Sequence, residues 1–294
     1  MPRRVKRFKS WQDYQDFART VRATNRYIRT PETERFLSVV SETAKSRIIT
    51  ISKDWRFWRA QIGSRTIELE QLGELVDREV AFAPERMKPL RGRAHEGRAN
   101  PKGIAYLYGA TAKLTAMAEV RPRLGAFISL GVFEVIKELK IIDCSRYHAR
   151  NPFALLFEKP IGYKPTAADV EVAVWTDIDH AFSAPATDAD EALDYVPTQI
   201  LAERFKLDGY DGIAYKSKLT DDGFNLVFFD LEVAKILGAY LYEIKKVTVT
   251  PGEHPVDEYA IDKQGRPVWN VITDIRGLTE EERQQLAAKE TAQP

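Results

Sequence analysis

The sequence lacks most of the features by which a protein class is identified at once. It has a single cysteine, Cys144, so no intramolecular disulfide can form, which favours a reducing compartment such as the cytoplasm. The 44 basic and 43 acidic residues give a net charge of +1, which provides no overall attraction to nucleic acid or to an anionic membrane. No apolar run approaches the roughly 20 residues of a transmembrane helix, and the basic N-terminus lacks the apolar stretch of a signal peptide. We therefore expect a cytoplasmic protein without a membrane partner.

Common catalytic and cofactor motifs are absent as well. The sequence contains no P-loop, no G-x-G-x-x-G dinucleotide motif, no H-E-x-x-H or C-x-x-C metal motif and no G-x-S-x-G nucleophile elbow. The four histidines, at positions 95, 148, 180 and 254, have no familiar metal-ligand spacing. We expect no metal site, and we expect Cys144 to be a small buried apolar side chain.

The residues that are present predict an α+β protein with an extension at each end. Apolar side chains make up 44% of the chain, which is enough for a packed core. Residues 1–46 have helical patterns, and residues 47–250 alternate between strand and helix patterns, which predicts a mixed β-sheet core. Residues 251–294 form a tail, in which Thr279 and Glu282 have the spacing of a capping box and predict a terminal helix.

Local patterns predict the individual elements. In the N-terminal extension, Ser10 and Thr30 are the expected helix N-caps. Residues 83–103 form a basic loop of unusual length, and loops of this kind often carry function. Residues 183–194 are expected to form an acidic loop. The predicted strands are RIITIS, FWRAQIG, IAYLY, AFISLGVF, DGIAYKS, NLVFFD and AYLYEIKKVTVT, and the predicted helices of the core are IELEQLGELVD, residues 111–118, NPFALLFEK, TAADVEVAVWTDIDHAF and PTQILAERFKL.

Three polar residues lie where predicted strands and helices meet loops. Arg59 interrupts the apolar strand FWRAQ, Glu119 closes a helix with small apolar neighbours, and Ser217 ends the strand DGIAYKS. A charge in a half-buried strand must be paired or must face a cleft, because isolated burial is too costly. Two interpretations stay open at this point: Arg59 and Glu119 form a structural salt bridge and Ser217 is a turn residue, or all three face a binding site.

The segments that contain these residues resemble the RES-domain family, which is named for an Arg, a Glu and a Ser. The matching segments are FWRAQ, GRANPKGIAYLYGATAKLTAMAEVRP and YVPTQILAERFKLDGYDGIAYKSKLTDDGFNLVFF, which extend from about Arg56 to Asp230. The middle segment is the most specific, since Arg, Gly, Tyr and Glu recur in order at family-like spacing. The resemblance implies a fold similar to that of ADP-ribosyltransferases and a RES-like catalytic domain in residues 47–250.

The resemblance also implies an enzyme that splits the bond between nicotinamide and ribose in NAD⁺, by phosphorolysis or hydrolysis. Such proteins are commonly toxins, paired with an antitoxin that carries an Xre-type helix-turn-helix region. NAD⁺ is then a substrate, with inorganic phosphate as the second substrate of phosphorolysis, so neither a cofactor nor a dinucleotide motif is expected.

Several alternatives stay open beside this function. ADP-ribosyltransferase activity on a protein shares the same substrate, and a nucleic-acid-binding or structural role would rest on PRRVKRFK and KPLRGRAHEGR. We expect no direct nucleic-acid binding, because base-stacking aromatics are sparse in both runs. The N-terminal helices could cover the cleft, mediate formation of a homo-oligomer, or pack on the core.

Each residue type suits the chemistry that the resemblance implies. The Glu119 carboxylate would stabilise the positive charge that builds on the ribose as nicotinamide leaves. Arg59 and Arg98 supply forked donors that suit a pyrophosphate. Ser217 would donate to a ribose hydroxyl, to a phosphate or to Glu119, and Tyr108 would stack on nicotinamide or its ribose. We expect Glu119, Arg59 and Ser217 to be catalytic, Arg98, Asn100, Tyr108 and Asn225 to bind NAD⁺, and Tyr106 to lie in the core.

The order of these residues also predicts a fold-back. If the chain turns tightly at Gly109, the helix over residues 111–119, about 12 Å long, runs back along the strand over residues 104–108. Glu119 would then return to the Arg98 end of that strand. Arg59 and Ser217 should face the same cleft.

Overall fold

A computed structural model describes residues 7–71, 73–150, 163–184, 191–221, 223–248, 259–261 and 267–269. Two helices open the described chain, α1 (Asp13–Ala23) and α2 (Pro31–Ala44). The predicted cap of α2 is confirmed, since the Thr30 hydroxyl accepts a hydrogen bond from the Thr33 N–H. The predicted cap of α1 is wrong: the helix begins after Gln12, and Ser10 instead closes a turn in front of it through its carbonyl and hydroxyl oxygens.

An eight-stranded mixed sheet forms the core and confirms the predicted α+β class. The strands are β1 (Ile48–Ile51), β2 (Arg56–Ile62), β3 (Arg65–Gln71), β4 (Glu74–Val80), β5 (Leu107–Ala110), β6 (Phe127–Val135), β7 (Leu139–Asp143), β8 (Gly212–Lys216), β9 (Phe224–Phe228) and β10 (Ala234–Glu243). The main sheet has the order β1-β7-β8-β9-β5-β2-β6-β10, and only β7 and β8 are parallel neighbours among its described strands. Further helices are α3 (Pro84–Met87), α4 (Lys113–Glu119), α5 (Ala167–Ser183) and α6 (Glu191–Leu207).

The predicted helix IELEQLGELVD is wrong, because this segment forms a hairpin. Strands β3 and β4 pair with each other from Arg65↔Val80 to Gln71↔Glu74, as a two-stranded sheet separate from the main one. The chain reverses at Gly73, whose φ of +83° favours glycine. Apolar residues in this short segment fit both periods, so periodicity alone could not separate a helix from a strand pair.

Other elements differ from prediction at their boundaries. Strand β5 starts at Leu107 rather than at Ile104, because the Asn100 side chain donates to the Ile104 carbonyl and keeps that residue in the loop. Helix α6 begins at Glu191, so part of the predicted acidic loop is helical and Pro197 lies inside the helix. Strand β7 was not predicted at all. Its buried side chains pack between β1 and β8.

The sheet carries a core on each face, since successive side chains of a strand point to opposite sides. On one face, Val227 and its neighbours pack against α1, α2, α5 and α6. Phe57, Phe133 and Phe228 form an aromatic cluster on the other face, with ring centroids 5.0 to 5.4 Å from that of Phe57. A smaller cluster around Ala116 lies under α4, on the same face as Val227. Helix α4 and the pair α5 and α6 therefore share one face of the sheet.

The N-terminal helices pack on the core, which was one of the alternatives left open. The Trp175 indole on α5 donates to the Thr43 hydroxyl on α2 at 3.0 Å, and Arg204 Nε on α6 donates to the Ser41 hydroxyl at 2.7 Å. Helix α1 also packs against α5 and α6. The boundaries predicted at residues 46 and 250 stay predictions.

The described residues up to Lys246 form one compact unit, and those that follow belong to a second. In the second unit, β11 (Tyr259–Ile261) pairs with β12 (Pro267–Trp269) in antiparallel register. The predicted terminal helix and the predicted helix NPFALLFEK lie outside the described residues. Within the described ranges, no helix combines the length and the apolar character needed to cross a bilayer.

Candidate active site

A cavity of about 280 Å³ lies between α4 and α6 on the face that both helices share. Its floor follows from the strand register: Trp58 pairs with Ala110, Ala110 with Asn225, and Asn225 with Tyr215, so these side chains point to the same side. The predicted site residues that line the cavity are Arg59, Arg98, Tyr108, Glu119 and Asn225. Five of the seven residues expected at the site therefore line one cavity, whereas Ser217 and Asn100 do not line it.

Glu119 is held at the end of α4 by two hydrogen bonds to one oxygen. Its Oε1 accepts from the Ser217 hydroxyl and from the Asn225 amide, each at 2.7 Å. Both donors are buried, with 3% and 4% exposure, whereas Glu119 itself is exposed. Among the described residues, no hydrogen-bond partner is found for Oε2. The carboxylate is thus fixed in orientation by one oxygen, and the other is available to a ligand.

Ser217 reaches the site through this bond rather than by lining the cavity. Its hydroxyl oxygen also accepts the Leu219 N–H at 3.1 Å, which fixes the hydroxyl in the turn after β8. Of the three roles considered for Ser217, donation to Glu119 is the one present in this structure. The Ser217 hydroxyl therefore positions the carboxylate.

Arg98 brings a positive charge to the same cavity. Its Nη1 donates to the Ala181 carbonyl at 3.3 Å, and its guanidinium lies 5.7 Å from the centre of the Tyr195 ring. Within the described part of the chain, no carboxylate lies within ion-pair distance of Arg98. A carbonyl and an aromatic ring hold the guanidinium without neutralising it, so its charge remains available to an anion.

A smaller cavity adjoins the first and adds further cations. It shares Arg98 and Glu119 with the main cavity and is also lined by Arg121 and Lys218. Neither Arg121 nor Lys218 forms an ion pair with a described acidic side chain. The surroundings of Glu119 are therefore positive, which suits a ligand with phosphate groups.

Arg59 lines the cavity, but its guanidinium is anchored to the backbone. Nε donates to the Met87 carbonyl and Nη1 to the Tyr108 carbonyl, both at 2.9 Å. Burial, helped by nearby Arg86, lowers the pKa of Arg59 to about 10, which still leaves it charged at neutral pH. No ion pair joins Arg59 to Glu119, so the alternative of a structural salt bridge is wrong.

The position of Arg59 explains its backbone contacts. Strands β2 and β5 share one residue pair, Trp58↔Ala110, and the Arg59 side chain joins the two strands beside that pair. By strand alternation Arg59 lies on the side of Phe57, whereas Trp58 faces α4. A direct contact of Arg59 with substrate stays a prediction.

Asn100 and Tyr108 form a pair that orders the basic loop. The buried Asn100 amide donates to loop carbonyls, including those of His95 and Ile104, and its oxygen accepts the Tyr108 hydroxyl at 2.7 Å. The Tyr108 oxygen also accepts the Ala99 N–H, and burial raises the Tyr108 pKa above its ordinary value. Asn100 does not line the cavity. Of this pair, Tyr108 lines the cavity, and Asn100 holds the Tyr108 hydroxyl from outside the cavity.

Other residues of the cavity were missed in the sequence. Trp58, Tyr195 and Tyr215 line it, and all three belong to the segments that resemble the RES-domain family. The available signal was the alternation of side chains in extended chain: Tyr215 lies two residues before Ser217, so both side chains are expected on the same side. Tyr106, by contrast, is buried in the core, as expected.

Comparison with known protein families identifies the family of this chain. The family model of the RES domain matches residues 76–241, more than half of the chain. The chain belongs to the RES-domain family. The matched region contains Arg98, Glu119, Ser217 and Asn225 but begins after Arg59.

A comparison with curated protein sequences finds no match. Among solved structures, this RES-domain protein is similar to a chain in the crystal structure of the M. tuberculosis MbcT–MbcA toxin–antitoxin complex, at 15% identity and a TM-score of 0.36. That alignment covers 70% of this chain and 91% of the other.

Proposed function

We propose that this RES-domain protein cleaves NAD⁺ between nicotinamide and its ribose. The observation that supports this most is the Glu119 carboxylate, held through Oε1 by Ser217 and Asn225 beside cations that form no ion pair with any described carboxylate. A fixed negative charge with cations around it suits a substrate that develops a cationic sugar and carries two phosphates.

The proposed reaction uses Glu119 as an electrostatic stabiliser. The C1″–N bond breaks, and its electron pair goes to the nicotinamide nitrogen, which becomes neutral as it leaves. The ribose C1″ takes on oxocarbenium character, and Glu119 Oε2 stabilises the positive charge. Water or inorganic phosphate then adds to C1″, giving ADP-ribose and a proton, or ADP-ribose 1″-phosphate.

The cations of the two cavities support specific roles in this reaction. Arg98 would hold the pyrophosphate, since its guanidinium is oriented but not neutralised. Arg121 and Lys218 lie beside Glu119 in the adjoining cavity, where they would hold an attacking phosphate. This arrangement favours phosphorolysis over hydrolysis.

Product analysis tests the proposal. The purified chain is incubated with NAD⁺, with and without phosphate, and the products are identified by mass spectrometry, with Glu119→Gln as the inactive control. Nicotinamide with ADP-ribose 1″-phosphate supports phosphorolysis, and ADP-ribose in both buffers supports hydrolysis. ADP-ribose attached to an added protein substrate would indicate a transferase instead. Intact NAD⁺ in every reaction would refute the proposed function.

We further propose, from membership of the family, that the chain acts as a toxin with a helix-turn-helix antitoxin of the Xre type. Inducible expression in a bacterial host should arrest growth and deplete cellular NAD⁺, whereas Glu119→Gln should do neither. A helix-turn-helix protein that co-purifies with the chain from its native host and restores growth on co-expression would identify the antitoxin. Normal growth and normal NAD⁺ on expression of the soluble wild-type chain would refute the toxin role.

A further inference from the structure

We infer that Trp58, Tyr240 and Lys113 form a subsite for the adenosine half of the dinucleotide, beside the cavity that contains Glu119. The inference rests on the proposed function and extends it. Trp58 lines the cavity from β2. The Tyr240 ring on β10 lies 6.2 Å from the Trp58 ring, with the two planes at 45°, and Lys113 Nζ lies 4.6 Å from the Trp58 ring centre and 5.5 Å from that of Tyr240.

Trp58 and Tyr240 together form an aromatic platform. The strand register places both side chains of this platform on one face of the sheet. Trp58 pairs with Val132, which pairs in turn with Gly238 on β10, and Tyr240 lies two residues beyond Gly238 on the same side. This is the face that α4 and the cavity share. The platform is therefore a continuation of the cavity floor along the sheet.

The platform is open to a ligand. Tyr240 is 50% exposed, and Lys113 is exposed at the first residue of α4. A Cβ added at Gly238 would meet no atom of the described chain within 4 Å, so open space lies above the sheet at Gly238, two residues before Tyr240. A large aromatic pair at a cavity rim, only partly covered, is the surface on which a purine ring stacks well.

The cavity at Glu119 is too small to enclose a whole dinucleotide. Pockets that enclose drug-sized ligands have volumes of about 300 to 1,000 Å³, and the cavity at Glu119 has about 280 Å³. One nucleoside half with its phosphate fills such a space, so the second half of a dinucleotide must lie outside it. The platform begins at Trp58, which belongs to the cavity itself, and so offers the second base an aromatic surface without a gap.

Lys113 completes the proposed subsite. Its ammonium now lies over the two rings, in the place that a base would take. Because the lysine side chain is flexible, the ammonium can move to a phosphate of the ligand when the base stacks on the rings. The subsite would thus recognise an aromatic base linked to phosphate, as in adenosine monophosphate.

Ligand fragments separate this subsite from the one at Glu119. Calorimetry would measure the affinities of NAD⁺, AMP and nicotinamide mononucleotide in a Glu119→Gln background, in which NAD⁺ is not consumed during the titration, with and without Tyr240→Ala or Lys113→Ala. Both positions are exposed, so the variants should fold, and Tyr27→Ala is the matched control because Tyr27 is 90% exposed and lines neither cavity at Glu119.

We expect Tyr240→Ala to weaken NAD⁺ and AMP binding roughly five- to a hundred-fold, the range for loss of a stacked base. Lys113→Ala should weaken the same two ligands, and nicotinamide mononucleotide should bind all the chains alike. An equal loss for all three ligands, or no loss of NAD⁺ affinity in either variant, would overturn the subsite. AMP binding that depends on Tyr240, together with a wild-type chain that leaves NAD⁺ intact, would support the subsite and refute the proposed reaction.

Discussion

Replacing Glu119 by glutamine should remove a charge from the site while keeping the local hydrogen bonds. In the wild-type chain both bonds, from the Ser217 hydroxyl and the Asn225 amide, end on the same oxygen, Oε1. A glutamine carbonyl oxygen can accept both bonds, and the new amide nitrogen then replaces Oε2, which has no partner among the described residues. The substitution therefore changes the charge at the cavity and little else.

The expected loss follows from the role of that charge. Removing one preorganised electrostatic contact to a transition state costs roughly a hundred- to a thousand-fold in rate, or about 2.7–4 kcal/mol. If Glu119 stabilises the oxocarbenium-like sugar, kcat for NAD⁺ cleavage should fall by that factor. The affinity for intact NAD⁺ should change less, because the positive charge on the ribose develops only as the bond breaks.

The measurement combines kinetics with thermal unfolding. Nicotinamide release gives kcat and KM, and circular dichroism gives the melting temperature of each variant. Glu138→Gln is the matched control, since Glu138 is exposed and belongs to the turn between β6 and β7. A folded Glu119→Gln protein that cleaves NAD⁺ at the wild-type rate would refute the role given to this carboxylate.

The remaining predictions concern neighbouring groups. Arg98→Lys keeps the charge but loses the fork, so it should raise the calorimetric Kd for NAD⁺ about tenfold with an unchanged melting temperature; a lower melting temperature with unchanged Kd would indicate a structural role. Ser217→Ala removes one of two hydrogen bonds to Glu119 and should lower kcat roughly tenfold or more, while a wild-type kcat would exclude a positioning role. Burial raises the pKa of Asp179 from 3.8 to about 7, so the folded state favours the protonated acid and loses stability as pH rises between these values. Asp179→Asn should therefore gain stability relative to wild type in urea unfolding at pH 8 but not at pH 4, and equal differences at both pH values would contradict this.

The candidate site could be located from the sequence because its residues lie in strands and at helix ends. At these places the position of a residue in the element determines the direction of its side chain. Ser217 follows β8 directly, and Asn225 lies on β9 opposite Tyr215. Glu119 ends the helix that follows β5. Once the strands are known, the alternation of side chains along each strand and the order of the elements predict that these side chains lie together, without knowledge of the detailed packing.

Gly109 shows where such inference fails. The fold-back prediction placed a tight turn at Gly109, whereas the residue lies inside β5, pairs with Leu226, and the chain turns after Ala110. A Cβ at this position would collide with the Phe57 ring, so glycine is required by close packing between neighbouring strands. Turns and close approaches both select glycine, and the sequence alone does not distinguish them.

The contacts of Arg59 and Asn100 were beyond sequence analysis for a related reason. Both side chains donate to backbone carbonyls, which every residue carries, so no residue type in the sequence marks the partner. Predicting such contacts requires the path of the loop at residues 83–103, which depends on the packing of Met87 and Ala99 in two different cores. A side-chain pair such as Glu119 with Ser217 is marked in the sequence by two polar residue types. A hydrogen bond from a side chain to a backbone carbonyl of a loop has no such mark.

The position of Glu119 at the end of α4 argues for function rather than stability. The C-terminus of a helix carries a partial negative charge, so a carboxylate there is unfavourable by about 0.3–1 kcal/mol, and α4 has no basic residue in its last turn to offset it. The bonds from Ser217 and Asn225 compensate, but they use two buried polar groups that apolar residues could have replaced without loss. A helix end shaped by stability alone would carry a lysine or arginine at this position. The chain instead keeps a negative charge where the helix opposes it, directly beside the cavity, and unfavourable placements of this kind are expected where a side chain serves a reaction.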